Sequence, residues 1–189
     1  MAEIEDGRKF EKIALDFLKQ NNLPEAESNF IQALTHMKQS GDEEGQAYVL
    51  GNLGNLCFQS RRLDKAEEYY GKALTYMEKV NDIRGIESSL GNLGSVLFYK
   101  GNLNEAEKTY KKALKFLEDA NDTEGQSIYN ENLGNVYLKK EELAKAEDYF
   151  NRAKTLLDSE KNKDRIKAVE DKLDALQKHP KYVEGKEGN

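Results

Sequence analysis

The hydrophobic positions of this chain recur on two scales. Within short stretches they fall at i, i+3, i+4 and i+7, as in Leu50, Leu53 and Cys57, and then Ala66, Tyr70, Ala73, Leu74 and Met77. That spacing gathers them on one face of a helix and leaves the polar residues on the other. On the longer scale the whole pattern returns every 40 residues: segments 45–84, 85–124 and 125–164 align without a gap, and 5–44 is a more divergent first copy. Leu53, Leu93 and Leu133 share a phase with Ile13, Gly54, Gly94 and Gly134 with Ala14, and Ala66, Ala106 and Ala146 with Ala26. Tyr70, Tyr110, Phe150 and Phe30 fill a further phase, and Ala73, Ala113, Ala153 and Ala33 the next. Each unit therefore predicts two helices joined by a turn.

Turn chemistry supports this division. Pro24 suits a first helical turn, Asp64 and Asn104 are expected N-caps with Glu67 and Glu107 three residues on, and Asp42, Asp82 and Asp122 close the loops between units. A lone helical pair cannot bury its apolar faces, so the pairs must stack into a solenoid in which each contacts its neighbours. Glycine inside a helix costs about 1 kcal/mol relative to alanine. The recurrence of Gly54, Gly94 and Gly134 thus implies close approach of the two helices of a pair.

The ends of the array are also legible. Val49 with Leu56, and Tyr129 with Val136, form a second stripe expected to meet the preceding unit; the first unit has Lys9 and Asp16 there, so its outer face is expected to meet water as a true N-terminal end. After Asp164, residues 165–178 carry Ile166, Val169, Leu173 and Leu176 on one face and Glu170, Asp174 and Gln177 on the other, the pattern of a capping helix. Residues 179–189 lack a period and are expected to form a flexible tail. The expectation is a single solenoid domain over residues 5–178.

Composition narrows the chemistry. With 29 basic and 35 acidic residues the net charge is -6, which disfavours a polyanionic partner such as nucleic acid. The first unit alone holds nine acidic and five basic residues, so the excess negative charge is concentrated there. One Cys and two His are too few for a zinc site or a disulfide framework, so no metal or cofactor is expected. No 18-residue apolar run and no apolar stretch behind a basic head occur, and the chain reads as cytoplasmic, without membrane association.

Leu and Gly in the first helix, then Ala, Tyr or Phe, and Ala in the second, resemble the tetratricopeptide (TPR) repeat. The longer period, with Gly-Asn-Leu-Gly-Asn at 51–55, Gly-Asn-Leu-Gly-Ser at 91–95 and Glu-Asn-Leu-Gly-Asn at 131–135, looks most like the long-repeat subgroup of Leu-Gly-Asn polarity adaptors and kinesin light chains. The likeness spans residues 5–164; it departs from the usual pattern in lacking the Pro that ends a unit and in placing Cys57 or Leu97 where a Tyr is usual. It implies an all-α, right-handed superhelical solenoid of four TPR hairpins plus the cap, with the first helices on the concave side.

On that geometry the groove candidates are the non-core positions of the first helices. Asn52, Asn92 and Asn132 form one column and Asn55, Ser95 and Asn135 the next, flanked by Tyr48, Gln59, Tyr99, Ile128 and Lys139, with Arg8, Lys12 and Lys19 toward the N-terminus. An Asn side chain both donates and accepts, so such columns suit the backbone of an extended peptide. They equally suit a bracing role between adjacent units. The resemblance thus implies a non-catalytic adaptor or scaffold binding a protein segment. A homo-oligomeric structural protein, associating through an end or the convex face, and a sensor of a short signalling peptide are the alternatives; the chain is expected to be a monomer, with self-association open. TPR proteins that hold the carboxylate tail of heat-shock chaperones place cations where this chain has Gly51, Ile128 and Asn132, although Asn55 and Asn92 match; no such clamp is expected.

An enzyme reading finds little purchase. His36 shares its phase with Tyr76, Phe116 and Leu156, and Cys57 with Phe17, Leu97 and Tyr137, so both are expected to pack rather than react. The paired glycines Gly51/Gly54 and Gly91/Gly94 lie inside helices, with neither the preceding strand nor the following Gly-Lys of a phosphate loop. The charged run Lys139–Glu142 is expected to be solvated helix surface.

Overall fold

A computed structural model describes residues 2–157 and 160–182. Among these residues it is all-α, with nine helices: α1 (Ala2–Lys19), α2 (Leu23–Ser40), α3 (Glu43–Gln59), α4 (Leu63–Lys79), α5 (Ile83–Lys100), α6 (Leu103–Asp119), α7 (Thr123–Lys139), α8 (Leu143–Thr155) and α9 (Lys163–Gln177). The odd helices from α3 onward start at 43, 83, 123 and 163, so the 40-residue period of the sequence is also the period of the backbone. Contacts group the chain into two compact units, residues 1–100 and 101–189, and the division falls between α5 and α6, inside the third repeat.

In the first unit α1 packs on α2, α2 on α3, α3 on α4 and α4 on α5. Ala14, Ala26, Phe30, Ala33 and Met37 of the first repeat form one buried cluster with Val49, Leu53 and Leu56 of α3. The second stripe of α3 therefore meets the preceding hairpin, as its spacing required, while Lys9 and Asp16 are exposed. In the second unit α6 packs on α7, α7 on α8 and α8 on α9. Val169, Leu173 and Leu176 of α9 join Tyr137, Ala146 and Phe150, and Asp174 and Gln177 face out, so α9 buries one face and exposes the other.

Three local devices set the hairpins. Residues in the left-handed backbone region recur every 20 positions, at Asn21, Gly41, Arg61, Asn81, Gly101, Asn121 and Glu141, and each ends a helix. Asp42, Asp82 and Asp122 then start the odd helices, their Oδ1 atoms accepting from the N–H groups of Gly45, Gly85 and Gly125 at 2.9, 3.1 and 3.0 Å. These are the side-chain caps. Asp64 and Asn104 are not: α4 and α6 are capped by Arg62 and Asn102, neither of which makes a side-chain cap bond, and the expected capping residues lie two positions inside the helix.

The third device is the glycine beneath the second helix. A Cβ on Gly54 would lie 2.6 Å from the ring of Tyr70, and one on Gly134 would lie 2.5 Å from that of Phe150. Glycine here seats an aromatic ring against the first helix, a more particular purpose than the general backbone approach expected from sequence. Ion pairs fasten successive hairpins: Arg62 grips Glu27 with two bonds of 2.8 and 2.9 Å, Lys100 meets Glu67 at 2.6 Å, and Lys140 meets Glu107 at 2.8 Å.

The expected tail is corrected at its start. Residues 180–182 form a helical turn, Tyr182 is buried in the C-terminal cluster, and Lys181 pairs with Glu141. An aromatic ring with an apolar cluster in reach is worth ordering a turn for. The rest of the proposed tail, residues 183–189, lies outside the described residues. No helix among the described residues is long and apolar enough to cross a membrane.

Candidate functional site

In the first unit, α3 carries Tyr48, Asn52, Asn55 and Gln59, and α5 carries Ser88, Asn92, Ser95 and Tyr99, each set at i, i+4, i+7 and i+11. Between these stripes lies a cleft of about 250 Å³ whose lining includes Tyr48, Asn52, Asn55, Arg84 and Asn92, with Met77 and Tyr70 beneath. Tyr48, 46% exposed, donates its hydroxyl to Asp82 Oδ2 at 2.8 Å and so ties α3 to the start of α5. The Gly85 N–H and then the Tyr48 hydroxyl hold the Asp82 carboxyl below its ordinary range, and that carboxylate in turn raises the Tyr48 phenol.

The asparagines are not equivalent. Asn55 Oδ1 accepts from the buried Tyr70 hydroxyl at 2.6 Å, and burial pushes the Tyr70 phenol well up, so it is a fixed donor. Asn55 is thereby a brace within its hairpin. Asn52 and Asn92 are half-buried and make no side-chain hydrogen bond to another described residue. Ser95 turns its hydroxyl back to the Gly91 carbonyl at 3.0 Å.

Gln59 and Tyr99 stand at the C-terminal ends of their helices, outside the cleft lining. Tyr99 is 52% exposed, edge-on to Phe58 and Phe98, with the Arg61 guanidinium 5.3 Å from its ring centre. In the second unit Asn132 and Asn135 are half-buried on α7, and Lys139 and Ile128 are exposed. Members of the columns are thus half-buried in both units, and in the first unit Tyr48, Asn52, Asn55 and Asn92 line one cleft.

A second cleft, about 300 Å³, lies between α1 and α3 and is lined by Arg8, Glu11, Asp42, Glu44 and Tyr48, with Met37 and Gly45. Burial raises the Glu11 carboxyl, Arg8 opposes that, and Asp42 adds to it. Asp42 Oδ2 is buried and has no hydrogen-bond partner.

Sequence reasoning treated Asp82 as a loop residue and Met77 as a residue of the apolar stripe, and passed over Arg84. The available signal was Arg84 itself, a cation at a phase that holds Glu44 and Glu124 elsewhere. His36 packs as expected, stacked on Phe10 with ring centres 5.4 Å apart, and Cys57 is fully buried, which raises its thiol. Among the described residues no group of three or more His, Cys, Asp or Glu side chains is placed to hold a metal ion.

A family model described as tetratricopeptide repeat matches residues 7–79 and 85–159, most of the chain. This chain belongs to the tetratricopeptide repeat family. No curated protein matches it significantly. Solved structures extend the TPR assignment to the backbone. BtubC (BKLC) from P. vanneervenii superposes with a TM-score of 0.74 at 24% identity, covering 79% of this chain and 62% of its own. The apo form of RapI gives 0.83 at 15% identity, covering 90% and 62%. A Signal Transduction ATPase with Numerous Domains (STAND) protein with a tetratricopeptide repeat sensor, from Pyrococcus horikoshii, gives 0.81 at 17% identity, covering 88% and 26%. At these identities the likeness is one of fold, and the fold is the TPR solenoid; the chain spans less than two thirds of each of these proteins.

Proposed function

We propose that this TPR protein is a protein-interaction module whose first-helix face holds an extended segment of a partner, acting as an adaptor or scaffold rather than as a catalyst. The observation that carries the reading is the α3/α5 cleft, where Asn52 and Asn92 line an open space with their amide groups uncommitted to the described residues. Each such side chain offers one acceptor and two donor hydrogens, the complement of a peptide backbone. Asn132, Asn135 and Lys139 repeat part of this surface in the second unit, and Gln59 and Tyr99 extend it along α3 and α5. The partner is a peptide or protein segment, not nucleic acid, a membrane or a chaperone carboxylate tail, and the protein works as a cytoplasmic monomer. A sensor role is the second reading, favoured by the tetratricopeptide repeat sensor named in the P. horikoshii neighbour.

The test is a peptide-display selection on the full chain, repeated with Asn52→Ala/Asn92→Ala. The double variant is expected to lose the selected binders by about tenfold or more while keeping its helicity and melting temperature, since it removes two half-buried amides and no core contact. Unchanged binding, or early melting of the variant, rejects the reading.

A further inference from the structure

The second helix of the third repeat carries a feature that the repeat pattern does not require. Lys108, Lys111, Lys112 and Lys115 fall at i, i+3, i+4 and i+7 on α6, so they share one face, and all four are exposed. With Asn104 and Glu107 they line a shallow groove of about 560 Å³. The same phases hold Ser28, Ile31, Gln32 and Thr35 in α2, and Glu68, Gly71, Lys72 and Thr75 in α4. In α8 they hold Asp148, Asn151, Arg152 and Thr155. Four lysines at these positions are thus a property of α6, not of the TPR scaffold.

The carboxylate in the groove is already engaged. Glu107 accepts from Lys111 at 2.7 Å, Lys140 at 2.8 Å and the Tyr137 hydroxyl at 2.6 Å, and despite partial burial these donors hold it at about 2. Lys111 is drawn back to it, while Lys108 has only Glu105 nearby, at 3.8 Å. Lys112 and Lys115 complete the outward cationic face.

We propose that the lysine face of α6 is a docking surface for a short acidic protein segment, separate from the first-helix cleft. The argument is charge complementarity limited by length. Seven residues of helix span about 10 Å, room for a few carboxylates. Beyond it Glu105 lies toward one end and Glu118 and Asp119 toward the other, all exposed. A long polyanion such as nucleic acid would overrun the lysines onto these carboxylates and onto a chain of net charge -6. A brief run of Asp or Glu would not.

A fluorescein-labelled oligoglutamate peptide titrated against the full chain, followed by anisotropy at low and physiological salt, tests this. The expected result is saturable binding that weakens as salt rises and falls about tenfold in Lys112→Gln/Lys115→Gln, at an unchanged melting temperature. Asn52→Ala/Asn92→Ala should leave it unaltered. Three results overturn the proposal: no binding at low salt; equal binding by the lysine variant; or tighter binding, through the same lysines, of an oligothymidylate of matched charge or of phosphatidylserine vesicles.

Discussion

Between α1 and α3 the first unit places Arg8, Glu11 and Glu44 around a cleft; one repeat later, between α3 and α5, the same phases hold Tyr48, Gly51 and Arg84. Beneath both lie the same three supports, Met37 with Asp42 and Gly45 in one, Met77 with Asp82 and Gly85 in the other. The supports fix the step from one hairpin to the next. The changed positions alter what the step presents: one cation against three carboxylates in the first cleft, one cation against one carboxylate in the second. Tyr48 also gives Asp82 Oδ2 a donor, whereas Arg8, at the same phase, leaves Asp42 Oδ2 without one. Repetition thus preserves the cap, and substitution at a few neighbouring positions decides whether the space above it is charged or neutral.

The largest test sets a support against a variable position. A Cβ on Gly85 would lie 2.3 Å from Met77 Sδ and 2.5 Å from Asp82 Oδ2, whereas one on Gly51 would meet nothing within 4 Å. Gly85→Ala is therefore expected to destabilise by about 2 kcal/mol through overpacking, and Gly51→Ala to stabilise by up to about 1 kcal/mol through helix propensity. Urea unfolding of both variants checks this, and equal signs would break the distinction.

A smaller effect separates the two caps. Asp42→Ala and Asp82→Ala each lose an N-cap, about 1 kcal/mol, and Asp82→Ala also loses the Tyr48 bond, about 1 kcal/mol more. Because Asp82 has a depressed folded pKa, its ionised form contributes stability above the ordinary carboxylate range that is lost as pH falls through the folded value. Asp82→Asn should flatten that part of the acid limb in a melting series; a curve parallel to wild type would show that the cap carries no such linkage.

The smallest effect is the most pointed. Arg8→Tyr transplants the donor of the second step into the first, where Asp42 Oδ2 awaits one, and a gain of a few tenths of a kcal/mol is expected. Tyr48→Phe in the same background should leave that gain intact, since the two hydroxyls serve different carboxylates. Loss of the gain would mean that the clefts are coupled rather than independent.

Much of this was visible in the residues. The period put unit starts at Gly45, Gly85 and Gly125 and the last helix at Arg165, each two residues after the helix start at Glu43, Ile83, Thr123 and Lys163, and phase alone placed Cys57 and His36 among packing side chains. What escaped has identifiable causes. Asp64 with Glu67 satisfies the spacing of a capping box, but nothing local reveals that the cap is two residues earlier, at Arg62, and that the helix starts at Leu63. Glu27, Glu67 and Glu107 share a phase, yet their partners Arg62, Lys100 and Lys140 lie 33 to 35 residues away and not always in register, so no periodic reading pairs them. The asparagine columns were legible as columns. That Asn55 is already held by Tyr70 depends on a hydroxyl reaching across a hairpin, which spacing does not report.

That hydroxyl has a counterpart in its absence. Phe150 rests on Gly134 as Tyr70 rests on Gly54, but it offers nothing to Asn135, which occupies the phase of Asn55. Tyrosine and phenylalanine codons differ by one nucleotide. In a gene grown by duplication, a single base change can therefore release an asparagine from its hairpin, or recapture it, without disturbing the ring that holds the fold.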